Sequence, residues 1–160
     1  ALQQRIQQLA SEYQALANTI STRRKQSAAE LSGQISESMQ ILAMQGGRFH
    51  IGLTTVTALP APTGYSGEFP FIGRDSGNEK ISFEVSTNPG MPAQPLAKVA
   101  SGGELSRISL AIQLILSSLA SVETLVFDEV DVGVGGKTAA VIGRMLAALG
   151  DSRQILCITH

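Results

Sequence analysis

The sequence predicts an α/β fold: parallel strands with crossover helices, plus an antiparallel strand pair and an amino-terminal coiled-coil helix. Three observations predict it. The first 26 or so residues carry a heptad of apolar positions. Two segments between residues 48 and 87 alternate apolar and polar residues, as half-buried strands do. From Ser101 onward the pattern runs helix, strand, helix, strand, which implies a parallel pair joined by a crossover.

In the heptad, Leu2, Leu9 and Leu16 form one series, and Ile6, Tyr13 and Ile20 form the other. Such a seam needs a partner helix to bury it, although an amphipathic helix packed on a domain fits three heptads as well. The next positions in the two series are Arg23 and Ser27, so the seam ends there. Ala28, Leu31, Ile35, Met39 and Leu42 then keep a period near 3.6, predicting that the helix leaves the coil and docks on a core. Residues 1–45 are thus a coiled-coil stub and docking helix, and 46–160 a separate lobe. Gly46-Gly47 is expected to stop the helix.

Arg48–Thr57 reads as a strand, and residues 58–79, with four glycines and three prolines, as a loop or elaborated hairpin end. Lys80–Thr87 is the second strand, with Ile81, Phe83 and Val85 on one face, and Asn88-Pro89-Gly90 is a turn. A helix is predicted over Gly103–Ala120, with Leu105, Ile108, Ile112, Ile115 and Leu119 inward. The short apolar strand Thr124–Phe127 is expected to be buried on both faces. A helix over Lys137–Leu149, ended by Gly150, and a strand over Gln154–Thr159 complete the unit. Its carboxyl edge, where ligands sit in such sheets, collects Asp128, Glu129 and His160.

The 160 residues are enough for one core. Hydrophobic residues at 43% and charged residues at 16% exclude a disordered charged tail. A net charge of −1 gives no general attraction to nucleic acid or membranes. The single cysteine, Cys157, lies in an apolar run and is expected in the core. No apolar stretch approaches the roughly 18 residues needed to cross a bilayer, and no signal peptide opens the chain, so a cytoplasmic protein is expected. The chain starts inside a helical pattern and stops straight after a strand, and is read as a fragment.

Three local patterns carry chemistry. Asp128-Glu129 closes the strand Leu125-Val126-Phe127. Neighbouring strand residues point opposite ways, so one carboxylate can serve a magnesium ion and the other orient a water for attack on a γ-phosphate. Acidic residues also follow strands for no catalytic reason. Ser101-Gly102-Gly103-Glu104 is a capping box, as any well-capped helix has. Its two glycines, which capping does not require, clear a helix amino terminus for an anion, and Lys98 upstream adds positive charge. His160 after the last strand can donate a hydrogen bond to a phosphate oxygen.

The order SGGELSR, LVFDE, an acidic loop Val130-Asp131-Val132-Gly133, then a histidine after the next strand, resembles that of the ATP-binding-cassette ATPases: signature loop, Walker B, D-loop, switch histidine. The spacing and coiled-coil entry are similar to the SMC-like branch, within it the bacterial members that act in DNA double-strand break repair and recombination. The resemblance covers residues 80–160 and is weaker over 1–57. It implies the carboxy-terminal lobe of a P-loop NTPase head. Asp128 would help hold Mg²⁺ through water, Glu129 would position or activate the attacking water, and His160 would sense the γ-phosphate. Ser101, Gly102, Gly103 and Glu104 would form the loop that meets ATP held by a second head, with Ser101 and Gly103 on its γ-phosphate. Asp131 would sit in the loop crossing between heads. The implied partners are a second head of the same protein and, for the whole protein, DNA, with no membrane; the implied location is the bacterial nucleoid.

The family's P-loop and glutamine loop have no counterpart in these 160 residues, so this chain is expected to hydrolyse nothing alone, with ATP and Mg²⁺ requiring the Walker A lobe or a second head. Gly136-Lys137-Thr138 mimics a P-loop ending, but Asp131 stands where the first glycine is needed. Arg23-Arg24-Lys25 reads as a solvated face or as a phosphate contact for DNA. Two alternatives stay open: the head of another SMC-like ATPase, and a non-catalytic coiled-coil adaptor.

Overall fold

The computed structural model describes residues 2–56, 74–99, 101–116 and 122–159. It divides into two compact units: residues 1–29 with 52–82, and residues 30–51 with 83–160.

Helix α1 runs unbroken over Leu2–Ile41, from the heptad into the docking segment. No proline interrupts it, and Gly33 is its only glycine. In the first unit the helix is held mainly by polar groups. The Tyr13 hydroxyl accepts from the Arg74 amide at 2.9 Å and lies 3.1 Å from both the Arg74 carbonyl and Asn78 Oδ1. Glu79, buried, accepts from Ser21 Oγ and from Arg24 at 3.2 Å. Arg24 of the basic trio is therefore engaged within the chain. Leu2, Leu9, Leu16 and Ile20 of the heptad stay exposed.

The second unit holds the continuous core. Ile35 and Met39 of α1 and Leu42 just beyond it are buried with Phe49, Val85, Ile108, Leu110, Ala111, Phe127, Val130, Ile142 and Leu149. The helix stops earlier than Gly46-Gly47, through a left-handed Ala43 (φ 61°) and a Met44 amide bonded back to Met39 at 3.0 Å. This is a Schellman turn on a non-glycine residue, sealed by burial of Met39 and Met44 together. Gly46 (φ 77°) then turns the chain beside Pro89, where a side chain has no room.

Strand β1 (Arg48–Thr55) neighbours β2 (Glu79–Ser86), which pairs antiparallel with the short β3 (Gln94–Pro95). The Val56 amide donates to the Asn78 carbonyl, so the end of β1 meets the start of β2. Only Val85 of the three apolar residues expected inside β2 is buried; Ile81 and Phe83 are exposed, and Phe83 lies over Phe49 at 6.2 Å. One backbone edge of β1 is capped by a helix. Ser32 and Ser36 accept from the amides of Ile51 and Phe49 at 3.1 and 2.9 Å, and Gln40 donates to the Gly47 carbonyl at 2.8 Å. Side chains one helical turn apart thus occupy an edge that would otherwise recruit another strand. The open groove of about 520 Å³ beside them, lined also by Glu37, Arg48 and His50, is formed by this ladder.

Helix α2 (Gly102–Ile115), strand β4 (Thr124–Asp128), helix α3 (Gly136–Gly150) and strand β5 (Gln154–Ile158) follow. β4 and β5 are parallel, with Phe127 opposite Cys157 and Asp128 opposite Ile158. Two expectations are corrected. β4 is buried on one face only: Phe127 is inside, but Val126 is 61% exposed, with Leu156 and Ile158 also exposed on β5. Cys157 is exposed rather than in the core: it shares a face with Phe127, its partner across the pair, but lies near the end of β5, where the burial that encloses Phe127 does not extend. In α2, Leu105 is exposed and Arg107 is buried in its place. Leu119 lies outside the described residues.

Candidate functional site

The β4–β5 register brings the expected acidic residues to one edge. The Glu129 amide donates to the Ile158 carbonyl at 3.3 Å, the last link of the ladder. The chain then leaves the sheet through a left-handed Glu129 (φ 54°), an uncommon conformation for a residue with a side chain. The Val132 amide bonds back to the Glu129 carbonyl at 3.2 Å, and Gly133 (φ 72°) completes the turn into α3. Asp128 is exposed at the strand end. Asp131 carries a buried Oδ1 without a hydrogen-bond partner among the described residues. Partial desolvation pushes the exposed Cys157 thiol pKa up, and the carboxylates of Asp131 and Asp128 push it further, so both acids act on the end of β5. His160, two residues beyond β5, lies outside the described residues.

Ser101 caps α2 as its sequence predicts. It is extended (φ −99°, ψ 122°), and its Oγ accepts from the Glu104 amide at 3.4 Å. The described hydrogen bonds include no return bond from the Glu104 carboxylate, so the cap runs one way. Ser101 and Gly102 are exposed, and Gly103 is buried. Gly103 lies beneath the loop after β4: a Cβ built there would stand 3.1 Å from the Glu129 carbonyl oxygen and 3.5 Å from Val132 Cβ. A Cβ on Gly102 would stand 2.6 Å from Glu129 Oε2. The glycine turn and the acidic residue of one chain are therefore in contact. At the start of α3, by contrast, Gly135 and Gly136 have open space around them, and no side chain caps that helix.

Arg107 was not among the candidates. It donates from a terminal guanidinium nitrogen to the Val132 carbonyl at 2.8 Å, bolting α2 to the loop, while its buried Nε has no partner among the described residues. Burial lowers its pKa and Glu104 partly opposes this. Its signal in the sequence was position: 103, 107 and 111 lie one turn apart on a single face.

Among the described residues no group of three or more His, Cys, Asp or Glu side chains is arranged to hold a metal. The exposed Asp128 suits the one-carboxylate, water-rich binding that Mg²⁺ takes beside a phosphate substrate. No described helix is long and apolar enough to cross a membrane.

No protein-family model matches the chain. The DNA repair protein RecN of Vibrio cholerae is 44% identical over 160 residues, covering 100% of this chain and 26% of that protein. RecN of Haemophilus influenzae is 42% identical over 147 residues, 92% of this chain and 24% of that protein. RecN of Treponema pallidum is 38% identical over 160 residues, 100% of this chain and 26% of that protein. The chain thus spans about a quarter of the length of these relatives. Among solved structures, the Smc head domain with an extended coiled coil from Pyrococcus furiosus matches with a TM-score of 0.51 at 20% identity, over 92% of this chain and 31% of that one. The Smc head with a coiled coil and joint from Pyrococcus yayanosii matches with a TM-score of 0.50 at 20% identity, over 89% and 24%. The fold is accordingly the α/β lobe of an SMC-type head, and by its identity with these relatives the chain belongs to the RecN family of DNA repair proteins.

Proposed function

We propose that the chain contributes half of a composite ATPase site in a protein of DNA double-strand break repair, where ATP is sandwiched between two heads of the same protein and hydrolysis parts them. One observation carries the reading: two strands of one parallel pair, an acidic turn and a capped helix tip meet at a single edge. Parallel sheets bind ligands at that edge, and helix tips attract anions.

On this reading Glu129 orients the water for in-line attack, and Asp128 holds the magnesium through its water shell. Mg²⁺, when bound, neutralises charge on the β- and γ-phosphates. Ser101, Gly102 and the α2 tip offer hydroxyl and amide donors to the γ-phosphate of the nucleotide on the other head, with Gly103 and Glu104 shaping that tip. Asp131 contributes to the loop that crosses between heads, and His160 senses the γ-phosphate. We assign the exposed apolar face of Val126, Leu156 and Ile158 to contact with the remainder of the head, which carries the P-loop. DNA is the partner of the whole protein.

Glu129→Gln in the full-length protein tests the assignment. It should lower ATP hydrolysis about 100-fold or more, the scale of losing a positioned acid–base group, while ATP-dependent association of heads persists. Wild-type turnover in that variant would refute it.

A further inference from the structure

We infer that the glycine turn Gly102–Gly103 is a positioning element for the Glu129 carboxylate of its own chain, beyond any contact it makes with a second head. The inference rests on the role proposed above for Glu129.

The turn's backbone does not explain its glycines. Neither residue has the left-handed φ that favours glycine, unlike Gly46, Gly77, Gly90 and Gly133. Glycine in the first helical turn weakens the helix, and the capping role falls to Ser101. Space does explain them. A Cβ on Gly102 would strike Glu129 Oε2 at 2.6 Å, and one on Gly103 would press on the Glu129 carbonyl oxygen at 3.1 Å and on an Arg107 nitrogen at 3.3 Å. The glycines next along the chain, Gly133, Gly135 and Gly136, meet nothing within 4 Å. Of the glycines around the end of β4, only those of the turn that faces Glu129 are closely packed.

Glu129 is held in place from its own side too. Phe127 and Val130, on either side of it, are buried at 3% and 1% exposure. Arg107 fixes the loop through the Val132 carbonyl at 2.8 Å. Between these anchors the left-handed backbone aims the Glu129 side chain at the α2 tip. The positive end of the helix dipole favours a carboxylate there. The seat is therefore made of a missing side chain, a helix end and a clamped loop. Through it, the turn offered to one nucleotide also orients the acid that serves the other.

The full-length protein carrying Gly102→Ala provides the test. The new methyl meets only the end of a flexible side chain, so the fold is retained while the seat is lost. Turnover at saturating ATP should fall between about tenfold and about a hundredfold, the scale of displacing a reacting group by ~1 Å. The Gly102 amide offered to the other head's nucleotide survives the substitution, so the KM for ATP and ATP-dependent head association should change far less than turnover. A raised KM or lost association with turnover intact would overturn the inference, since the turn would then act only on the partner's nucleotide. Combining Gly102→Ala with Glu129→Asp withdraws the carboxylate from the methyl, so the double variant should lose much less than the product of the two single losses. A multiplicative loss would equally overturn it. If Glu129→Gln alone keeps full activity, the proposed function fails and this inference falls with it; if that variant is dead while Gly102→Ala turns over normally, the inference alone fails.

Discussion

The two compact units are held by different chemistry, although one helix runs through both. In the unit of residues 1–29 and 52–82, the buried apolar residues described are two alanines, Ala17 and Ala28, and the packing is polar: Tyr13, Ser21, Arg24 and Glu79. In the unit of residues 30–51 and 83–160, large side chains such as Met39, Leu42, Ile108 and Leu110 are fully enclosed. The period of the apolar residues accounts for the contrast. A spacing of 3.5 makes a narrow stripe that another helix must cover, and Leu2 and Leu16 remain 76% and 67% exposed. A spacing near 3.6 makes a broader face that a core can absorb, and Ile35, Met39 and Leu42 are buried.

The contrast can be broken at its strong end first. Ile108→Ala removes a fully enclosed side chain and should cost about 2–5 kcal/mol, the range for such cavities, seen as a drop in the urea midpoint of this chain. A loss below about 1 kcal/mol, well under that range, would mean the second unit is not core-stabilised. Glu79→Gln probes the polar unit. It leaves the Arg24 guanidinium, itself a quarter exposed, without its carboxylate. We expect about 1–3 kcal/mol, the range for hydrogen bonds to charged groups, with faster proteolysis around residues 74–80. No change in either stability or cleavage would show the ion pair to be decorative. Leu9→Ala should matter least, within about 0.5 kcal/mol as for exposed substitutions. A loss of several times that in thermal unfolding would reveal that the heptad stripe is already paired in solution.

Much of the fold was legible because periodicity is local. The parallel pair, the strands near 48–55 and 79–86, the Ser101 cap and the convergence of Asp128 with the end of β5 all follow from residue spacing. Other features depended on neighbours distant in sequence. The sidedness of β4 was misread because an apolar strand looks the same whether one or both faces are covered, and Val126 is exposed; Cys157 is exposed on the other face, beside the buried Phe127. The burial of Glu79 needed Ser21 and Arg24, more than fifty residues away. The Schellman stop at Ala43 was hidden because glycine is the usual signal, and here the burial of Met39 and Met44 substitutes for it.

By itself the sequence determined the order of elements, the capped helix tip and the acidic end of β4, because each is written in residues within a turn or a strand of one another. Only the tertiary structure decided that Gly102 and Gly103 lie against Glu129, that Arg107 ties α2 to the loop beyond it, and which apolar faces stay open. Those facts depend on contacts between segments about twenty-five or more residues apart, and no local pattern encodes which side chain will occupy the space that a glycine leaves.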